Sequence, residues 1–405
     1  MTEINRRKFL FASTGLTATA VLAGGVFGLP ELMNAARERP LAAGSGILVL
    51  VTLYGGNDGI NTLVPYADPA YHQARPELAY AASDVLHLDE QLGLNPGLSG
   101  LAGRWRSGQL AVVRGVGYPK PDHSHFRSMD IWQTASPAEP VSTGWIGRWL
   151  DATGDDPLRA VNVGTVLPPL AVGEKCTAAA LSVSGDNSIA SFARTVDALG
   201  IAEPQDTPAM ALVRQSYRDA QTADTQLHPA TQHPHVAKAA HHGAKAGNAL
   251  ADQLAVVARC IKAGVPTRVY TVSLGGFDTH ADERDTQQRL LGKLDSAVTG
   301  FLDQMSTDPH GKNVVLMTYS EFGRRVHANA SEGTDHGTAG PMFIAGVPVR
   351  GGFYGDEPSL TDLDNGDLKV TTDFRDVYHE VLTHTLGADP GPVVGTDRKD
   401  VGFLV

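Results

Sequence analysis

Six apolar, β-branched runs of strand length recur along the chain, and stretches with helical periodicity separate several of them. The runs begin at residues 46, 109, 159, 266, 313 and 340 and read GILVLVTLY, QLAVVRGVG, RAVNVGT, PTRVYTVSLGG, NVVLMTYS and GPMFIAG. Continuous apolar runs of this kind are typical of strands that are buried on both faces of a parallel sheet. Because helices alternate with these strands, the pattern predicts an α/β fold, a three-layer α/β/α sandwich with a mostly parallel central sheet.

Two amphipathic stretches supply helices for the outer layers. In the stretch 282–305, Leu290, Leu294 and other apolar side chains fall on one helical face. The stretch 373–387 has a similar pattern and ends at Gly387, a residue typical of helix ends. Both stretches are predicted to be helices that cover the sheet.

Length and composition favour one large domain. The chain has 405 residues and is 42% hydrophobic, which is enough for a sizeable core, and we predict a single domain over 44–405. The stretch 205–250 is rich in Ala, Gln and His and poor in apolar residues, so we expect a helical cap or insertion there. Its histidines between 233 and 242 have irregular spacing, which favours a solvated helical face over a metal site.

Charge and cysteine content exclude some classes of function. The formal net charge is -11, and no basic run follows the N-terminus. Nucleic-acid binding is therefore not expected, because it needs clustered Lys and Arg to neutralise phosphates. The two cysteines, Cys176 and Cys260, form no disulfide framework; the sequence leaves open whether they pair or are buried free thiols.

The N-terminal segment carries an export pattern. Arg6–Arg7 directly precede a mild apolar run that is rich in Ala, Gly and Thr, which is the pattern of a twin-arginine signal over residues 1–43. Ala35 and Ala43 are both plausible cleavage sites, and an uncleaved membrane anchor is the alternative. The twin-arginine translocase is thus an expected partner. The protein is expected in the periplasm, in the cell envelope or outside the cell, with membrane contact only through an uncleaved leader.

Polar side chains follow or precede the predicted strands at the edge where ligands bind in an open parallel sheet. Carboxylates and imidazoles are the ligands of divalent metals in proteins. Each motif alone is more often a polar turn or a structural pair, but their joint placement favours a site for one or two divalent metal ions (Zn, Mn, Mg or Ca). The predicted ligands are Asp58, Asp278, His280, Glu321, Asp335 and His336.

A hydroxyl group at the start of a predicted helix is the candidate nucleophile. Ser124 lies between two histidines in the segment DHSHFRS, and Arg127 could hold an anionic group with two hydrogen bonds. A helix N-terminus also favours a phosphate or a developing negative charge. The alternative is structural: Asp122 or Ser124 would cap the helix, and Ser128 is a competing hydroxyl.

Five motifs together resemble the exported bacterial proteins grouped as domain of unknown function 1501. They read LYGGNDGINTLVPY, HSHFRSMDIWQTA, GGFDTH, YSEFGRR and GTDHGTAGPMFIAG, and they cover essentially the whole mature chain. That family is similar in turn to the alkaline phosphatase and sulfatase superfamily. The resemblance implies a three-layer sandwich, commonly two metals, and a Ser, Thr or modified Cys nucleophile.

The motifs also depart from that superfamily. By resemblance, Asp58 corresponds to the first metal-binding Asp, Ser124 to the nucleophile, and Asp278 with His280 to a metal-binding pair. Glu321 is followed by Phe322 where the superfamily usually has adjacent Asp and His, so one histidine ligand is missing.

The expected function is therefore an exported, metal-dependent hydrolase of phosphate or sulfate esters with a serine nucleophile. Its substrate would be a small-molecule or polymer ester. The alternative is a non-catalytic binding or assembly protein of the cell envelope that keeps the sulfatase-like fold. A metal-dependent enzyme acting on a polysaccharide is a third, weaker interpretation, because aromatic residues are only 6% of the chain.

Overall fold

A computed structural model describes residues 26–27, 29–154, 156–164, 167–181 and 248–404. Arg6–Arg7 and residues 205–247 of the expected helical cap lie outside these ranges. No helix within them is long and apolar enough to span a membrane.

The described segments contain thirteen strands. They are β1 (Val26–Phe27), β2 (Ile47–Tyr54), β3 (Leu63–Val64), β4 (Leu86–His87), β5 (Gly93–Leu94), β6 (Leu110–Gly117), β7 (Ala160–Val163), β8 (Ala179–Leu181), β9 (Val269–Gly275), β10 (Val314–Ser320), β11 (Gly340–Ala345), β12 (Gly352–Tyr354) and β13 (Thr372–Asp373). All six predicted strands are present.

Helices lie between most of the long strands. They are α1 (Leu29–Glu38), α2 (Pro69–Ala74), α3 (Ser99–Arg106), α4 (His125–Thr134), α5 (Trp145–Thr153), α6 (Ala249–Lys262), α7 (Glu283–Ser306), α8 (Phe374–Glu380) and α9 (Gly391–Val394). A π-helical segment, Val381–Thr385, continues α8. The two predicted amphipathic helices are thus confirmed as α7 and as α8 with its π-helical extension.

The main sheet has ten strands in the order β1-β8-β7-β9-β2-β10-β11-β6-β12, with β13 also paired to β6. All pairings are parallel except those of β11, which runs antiparallel to both β10 and β6. This confirms the mostly parallel α/β sheet. Because β11 is reversed, the residues just before it lie at the same edge as the carboxyl ends of its neighbours.

Side chains of the central strand alternate between two apolar cores. Ile47, Val49 and Val51 of β2 pack into one core together with residues of α1, α3, α6 and α7. Leu48 and Leu50 face the opposite core, which contains residues of α4, α5 and α8. A helical layer on each face of the sheet gives the expected three-layer sandwich.

The segment predicted as leader overlaps the folded domain. Leu32 and Leu41, which precede the residue 43 boundary, are buried in the core beside the sheet, and the backbone of Leu41 donates a hydrogen bond to Gly264. Cleavage after Ala43 would remove α1 and leave a gap in that core. In this structure residues 32 and 41 pack on the domain, and the boundary at residue 44 stays a prediction.

Cys176 and Cys260 are both buried, and no disulfide joins them to each other. The pairing that the sequence left open is absent.

Candidate metal centre

The carboxyl edge of the central strands brings several distant loops together. At the end of β2, Gly55 has a positive φ of 116°, and a Cβ atom there would lie 2.4 Å from the backbone nitrogen of Asp278. The next residue, Gly56, has a φ of 72°, and a Cβ on it would strike the ring of Phe322. Glycine at both positions therefore permits the loops after β2, β9 and β10 to pack directly on one another.

One carboxylate and two imidazoles meet at this edge: Asp278 after β9, His125 at the start of α4, and His336 before β11. We call them the candidate triad. Their ligand atoms all lie within 4.8 Å of one another. Asp278 Oδ1 is 3.4 Å from His125 Nε2 and 3.3 Å from His336 Nε2. Within the described ranges, this is the only group of three such residues that could hold a metal ion.

The orientation of His125 is fixed from behind. Its Nδ1 lies 2.8 Å from Glu321 Oε1 and donates to that carboxylate. Its Nε2 is buried and has no hydrogen-bond partner in the part of the chain that the structure describes. The carboxylate thus turns the other ring nitrogen towards Asp278, as second-layer carboxylates do for metal-binding histidines.

The second imidazole is held in a similar way by the backbone. His336 Nδ1 lies 2.8 Å from the carbonyl oxygen of His123. A carbonyl oxygen can only accept, so the proton resides on Nδ1 and Nε2 carries the lone pair. Both triad histidines therefore present Nε2 to the same oxygen of Asp278.

These residues fit a divalent cation. Metal–ligand bonds of about 2.0–2.1 Å put neighbouring ligand atoms about 3.3 Å apart in a tetrahedral site, close to the two separations measured from Asp278 Oδ1. Burial lowers the pKa of His125, but the carboxylates of Asp278 and Glu321 outweigh it and raise the pKa to about 9. The two carboxylates therefore stabilise a positive charge on this imidazole.

Arg324 fixes the third member of the triad. Its guanidinium is buried, and its Nη2 donates to Asp278 Oδ1 at 2.8 Å. The same side chain donates to the carbonyl oxygens of Gly55, Gly56, Phe277 and Thr334. Burial raises the pKa of Asp278, but the neighbouring His125 and His336 imidazoles and the Arg324 guanidinium hold it well below its usual range. Asp278 is thus a fixed anion.

Two further predicted ligands lie at the exposed rim of the triad. His280 Nε2 is 3.0 Å from Asp278 Oδ1 and 3.0 Å from His336 Nε2. Asp335 lies behind it, with Oδ1 3.7 Å from His280 Nδ1, and 60% of its side chain is exposed. His280 is therefore placed to add a ligand from the solvent side, whereas Asp335 contacts only the far side of that ring.

Glu321 is not placed as a ligand. Its Oε1 accepts hydrogen bonds from the backbone of Gly55 and from His125, both at 2.8 Å, and Oε2 accepts from Ser320. The sequence predicted direct metal binding because Glu321 ends a central strand. The structure instead fills both oxygens with protein donors and puts the glutamate behind an imidazole.

Asp58 belongs to a separate group, which we call the buried carboxylate cluster: Asp58, Arg75 and Glu283. Asp58 Oδ2 is 2.5 Å from Arg75 Nη1, and both side chains are completely buried. Burial together with Asp58 raises the pKa of Glu283 to about 9, while Arg75 holds the pKa of Asp58 below its usual value. Asp58 is thus turned into the protein and neutralised there, contrary to its expected place among the metal ligands.

The candidate nucleophile lies next to the triad in sequence. Ser124 is the N-cap residue of α4, yet its side chain makes no capping hydrogen bond. Its Oγ is buried and has no hydrogen-bond partner within the described ranges. The capping alternative for this hydroxyl is therefore absent, and Asp122 Oδ1 instead accepts from the backbone of Ser124 at 2.8 Å.

Two other polar residues of this segment, Arg127 and Ser128, have partners within the protein. Arg127 Nη1 is 2.6 Å from Asp130 Oδ2, one helical turn further on. Ser128 is fully buried; it donates to the carbonyl of Glu321 and accepts from Tyr118 at 2.7 Å. The structure thus joins neither residue to the triad.

Sequence reasoning missed His125 as a candidate ligand. The segment HSHFRS follows β6 and precedes a helix, so it lies at the same edge as the other candidates, and histidine is the commonest metal ligand in proteins. The sequence analysis assigned the role of this segment to the hydroxyl of Ser124 instead. Phe322 stands where the resemblance leads one to expect a histidine, and its ring packs 4.8 Å from His125 and 4.7 Å from His336, between centroids.

The sequence matches the family described as "Protein of unknown function (DUF1501)" over residues 191–398. The chain belongs to this family. The matched region contains Asp278 and His336 of the triad, whereas His125 lies before it. No curated protein sequence matches the chain.

Solved structures with a similar chain path share little sequence with this protein. One, from Vibrio parahaemolyticus, is described as a protein in the alkaline phosphatase superfamily; it has 10% identity and a TM-score of 0.41, over 98% of this chain and 78% of that one. A phosphonate monoester hydrolase from Silicibacter pomeroyi has 10% identity and a TM-score of 0.37, over 88% and 76%. Likeness at this level carries no argument about activity.

Proposed function

We propose that this protein is a hydrolase of phosphate or sulfate esters that uses a divalent cation held by His125, Asp278 and His336. The observation that carries the proposal is the shared orientation of the two imidazoles. Each has its Nδ1 engaged by an acceptor and its Nε2 turned to the same oxygen of Asp278. Two imidazoles favour Zn²⁺ most, while Mg²⁺ and Ca²⁺, and to a lesser degree Mn²⁺, prefer oxygen ligands.

A three-residue ligand set leaves coordination positions open, as in catalytic rather than structural sites. A divalent cation bound there would polarise an ester oxygen and lower the pKa of a hydroxyl group beside it. Glu321 and the His123 carbonyl keep the Nδ1 protons in place, so both imidazoles stay available as ligands. Arg324 keeps Asp278 ionised and in position.

Ser124 is the proposed nucleophile. Its buried Oγ has no hydrogen-bond partner among the described residues, and it stands at the N-terminus of the ten-residue α4, where the helix dipole favours an anionic group. Oγ would form a bond to phosphorus or sulfur as the bond to the ester oxygen breaks, and the serine proton would leave with the alcohol. Water would then cleave the serine ester, restore the hydroxyl and release phosphate or sulfate. Arg127 has no part in this scheme because Asp130 engages it.

The test combines metal content with turnover. We expect about one equivalent of Zn²⁺ or Mn²⁺ in protein purified without chelators, and hydrolysis of p-nitrophenyl phosphate or p-nitrophenyl sulfate. Ser124→Ala should keep the metal and lose at least about 100-fold in kcat. Ser136→Ala, at a half-buried serine beyond the end of α4 whose hydroxyl donates to the Glu139 carbonyl, is the matched control and should match the wild type.

Three outcomes would overturn parts of the proposal. A fully active Ser124→Ala variant would remove the serine nucleophile and leave water as the attacking group. Bound metal without turnover of any ester would favour the non-catalytic binding or assembly protein. Absence of metal after incubation with Zn²⁺ and Mn²⁺ would remove the hydrolase proposal itself.

Export by the twin-arginine route is also proposed, on the basis of Arg6–Arg7 alone. Replacement of both by lysine should leave the protein in the cytoplasm, whereas the wild type should be recovered from the periplasm or medium. An unchanged distribution would contradict the proposed route.

A further inference from the structure

Both histidines of the candidate triad depend on one loop, residues 118–124. His125 begins α4 directly after it, and His336 donates through Nδ1 to the carbonyl of His123 within it, at 2.8 Å. A shift of this loop would therefore displace both imidazoles at once. What holds the loop decides how well the triad is formed.

Among the described residues, the hydrogen bonds within the loop are short-range. The backbone of Asp122 donates to the Tyr118 hydroxyl at 3.0 Å, and the backbone of Ser124 donates to Asp122 Oδ1 at 2.8 Å. Lys120 has a positive φ of 55°, an unfavourable conformation for a residue with a side chain. Tyr118 fixes the start of the loop, because it is buried in the core and donates to Ser128 at 2.7 Å, but these bonds do not tie His123 to the rest of the domain.

A long-range contact supplies that anchor. His123 Nε2 is 2.8 Å from Asp367 Oδ2, across 244 positions of sequence. The side chain of Asp367 is only 4% exposed, whereas that of His123 is 44% exposed. A buried carboxylate here takes its hydrogen bond from a surface imidazole.

Asp367 is held rigidly. It closes a two-residue turn in which Asn365 and Gly366 have φ values of 51° and 92°. Asp364 and Asp367 exchange backbone hydrogen bonds at 2.9 and 3.0 Å across it. Asn-Gly is the preferred pair for such a turn. The other oxygen, Asp367 Oδ1, is 3.5 Å from Nε of Arg325, the residue after the one that anchors Asp278.

We propose that Asp367 and His123 are a positioning pair for the metal centre. Asp367 holds the His123 side chain, and the backbone carbonyl of His123 in turn orients His336. Neither side chain touches the cation or the ester. The inference rests on the proposed metal site, and it adds that the turn 364–367 controls the geometry of that site.

Substitution of His123 tests this directly, because His123→Ala removes the anchor but leaves the carbonyl that accepts from His336. We expect Zn²⁺ affinity to fall about tenfold in His123→Ala and in Asp367→Ala, as for other second-layer groups. The double variant should lose no more than either single variant, since both break one contact. His123→Gln, whose amide nitrogen can replace Nε2 as donor, should restore affinity.

Asp362→Ala is the matched control. This aspartate lies five residues before Asp367, is 73% exposed, and pairs with Lys369. Its removal should leave Zn²⁺ affinity unchanged. Wild-type affinity in both His123→Ala and Asp367→Ala, or losses that add in the double variant, would overturn the proposal.

A second readout needs neither metal nor turnover. ¹⁵N NMR of histidine-labelled, metal-free protein reports which ring nitrogen of His336 is protonated. We expect the Nδ1–H form in the wild type and in His123→Gln, and a mixture of both forms in His123→Ala. An unchanged His336 tautomer in His123→Ala would overturn the positioning role. Absence of ester turnover in the wild type would instead count against the proposed hydrolase and leave this result standing.

Discussion

The candidate triad and the buried carboxylate cluster place aspartates at the ends of neighbouring strands, yet they use the charge in opposite ways. Asp58 after β2 is fully buried and paired with Arg75, which is also fully buried. Asp278 after β9 is 40% exposed, and two imidazole nitrogens face its Oδ1. Asp58 pairs with a guanidinium inside the protein, whereas Asp278, which also accepts from Arg324 at 2.8 Å, keeps an exposed side that faces two imidazoles, where we propose a cation from solution.

The difference shows why an aspartate at a strand end does not by itself indicate a metal ligand. Arg75 also donates to the carbonyl oxygens of Val326 and Arg325, at 2.8 and 2.6 Å, so its charge stays where Asp58 is. A second divalent cation would have to displace a guanidinium with three partners. The comparison therefore favours one metal over the two that the superfamily resemblance implied.

The strongest test of this difference is the same substitution, aspartate to asparagine, in both regions. Asp278→Asn removes the charge that both triad imidazoles face. We expect Zn²⁺ affinity to fall by about 10⁴-fold, about 5.5 kcal/mol, in competition with a chromophoric chelator. The metal-free variant should lose less unfolding free energy than Asp58→Asn, because Asp278 is partly exposed and the buried Arg324 that it leaves keeps its four carbonyl acceptors. Affinity within tenfold of the wild type would remove Asp278 from the site.

Asp58→Asn should have the opposite profile. It leaves the Arg75 charge buried without its partner, which typically costs about 3–5 kcal/mol. Because Glu283 can ionise in place of Asp58, we expect about 3 kcal/mol of lost unfolding free energy, measured by urea denaturation. Zn²⁺ affinity should stay within about threefold of the wild type. A loss of affinity like that of Asp278→Asn would mean that the two regions form one site.

The same comparison can be made between two buried glutamates, Glu321 and Glu283. Glu321→Gln keeps an oxygen that accepts from His125 and Gly55 but removes the negative charge behind the imidazole. We expect a loss of about 10- to 100-fold in Zn²⁺ affinity, or about 1.4–2.7 kcal/mol. Glu283→Gln, the matched control in the buried cluster, should leave affinity unchanged. An effect of equal size in both variants would argue against a specific role for Glu321.

The effect of Glu283 should instead appear in the pH dependence of the unfolding free energy. Its folded-state pKa of about 9 lies above the ordinary value of 4.5, so the folded protein holds a proton that the unfolded chain releases. The stabilisation from this proton is fully present below about pH 4.5 and is lost as pH rises towards 9. Glu283→Gln stays neutral and should therefore gain about 1–2 kcal/mol relative to the wild type between pH 5 and pH 9. Parallel stability curves for the two proteins would contradict the raised pKa.

Much of the architecture could be predicted because strands and helices leave local signals. The apolar runs gave all six predicted strands, and the period of the stretch 282–305 gave α7 within one residue. The reversed direction of β11 was not predictable in this way, because an apolar run has the same composition in either direction. Likewise, residues 29–43 look like the end of an export signal, and only packing shows Leu32 and Leu41 in the core.

The site was predictable as a set of loops but not as a set of contacts. Asp278 and His336 were expected ligands and do meet. Asp58 and Glu321 were expected beside them, but Arg75, Gly55 and His125 engage these carboxylates instead. The partner of each carboxylate is a residue 17 to 266 positions away in sequence, and no local pattern encodes that pairing.

The sequence by itself determined that this is an α/β protein with acids and histidines at the carboxyl edge of its sheet, since strand composition and strand-end polarity are local properties. Only the tertiary structure decided which of those groups pair inside the protein and which meet in the candidate triad. It set Arg75 against Asp58 and Glu321 behind His125, and it left two Nε2 atoms facing Asp278. The physical reason is that a buried charge must be neutralised by whatever lies within a few ångströms, and the fold alone determines which residues those are.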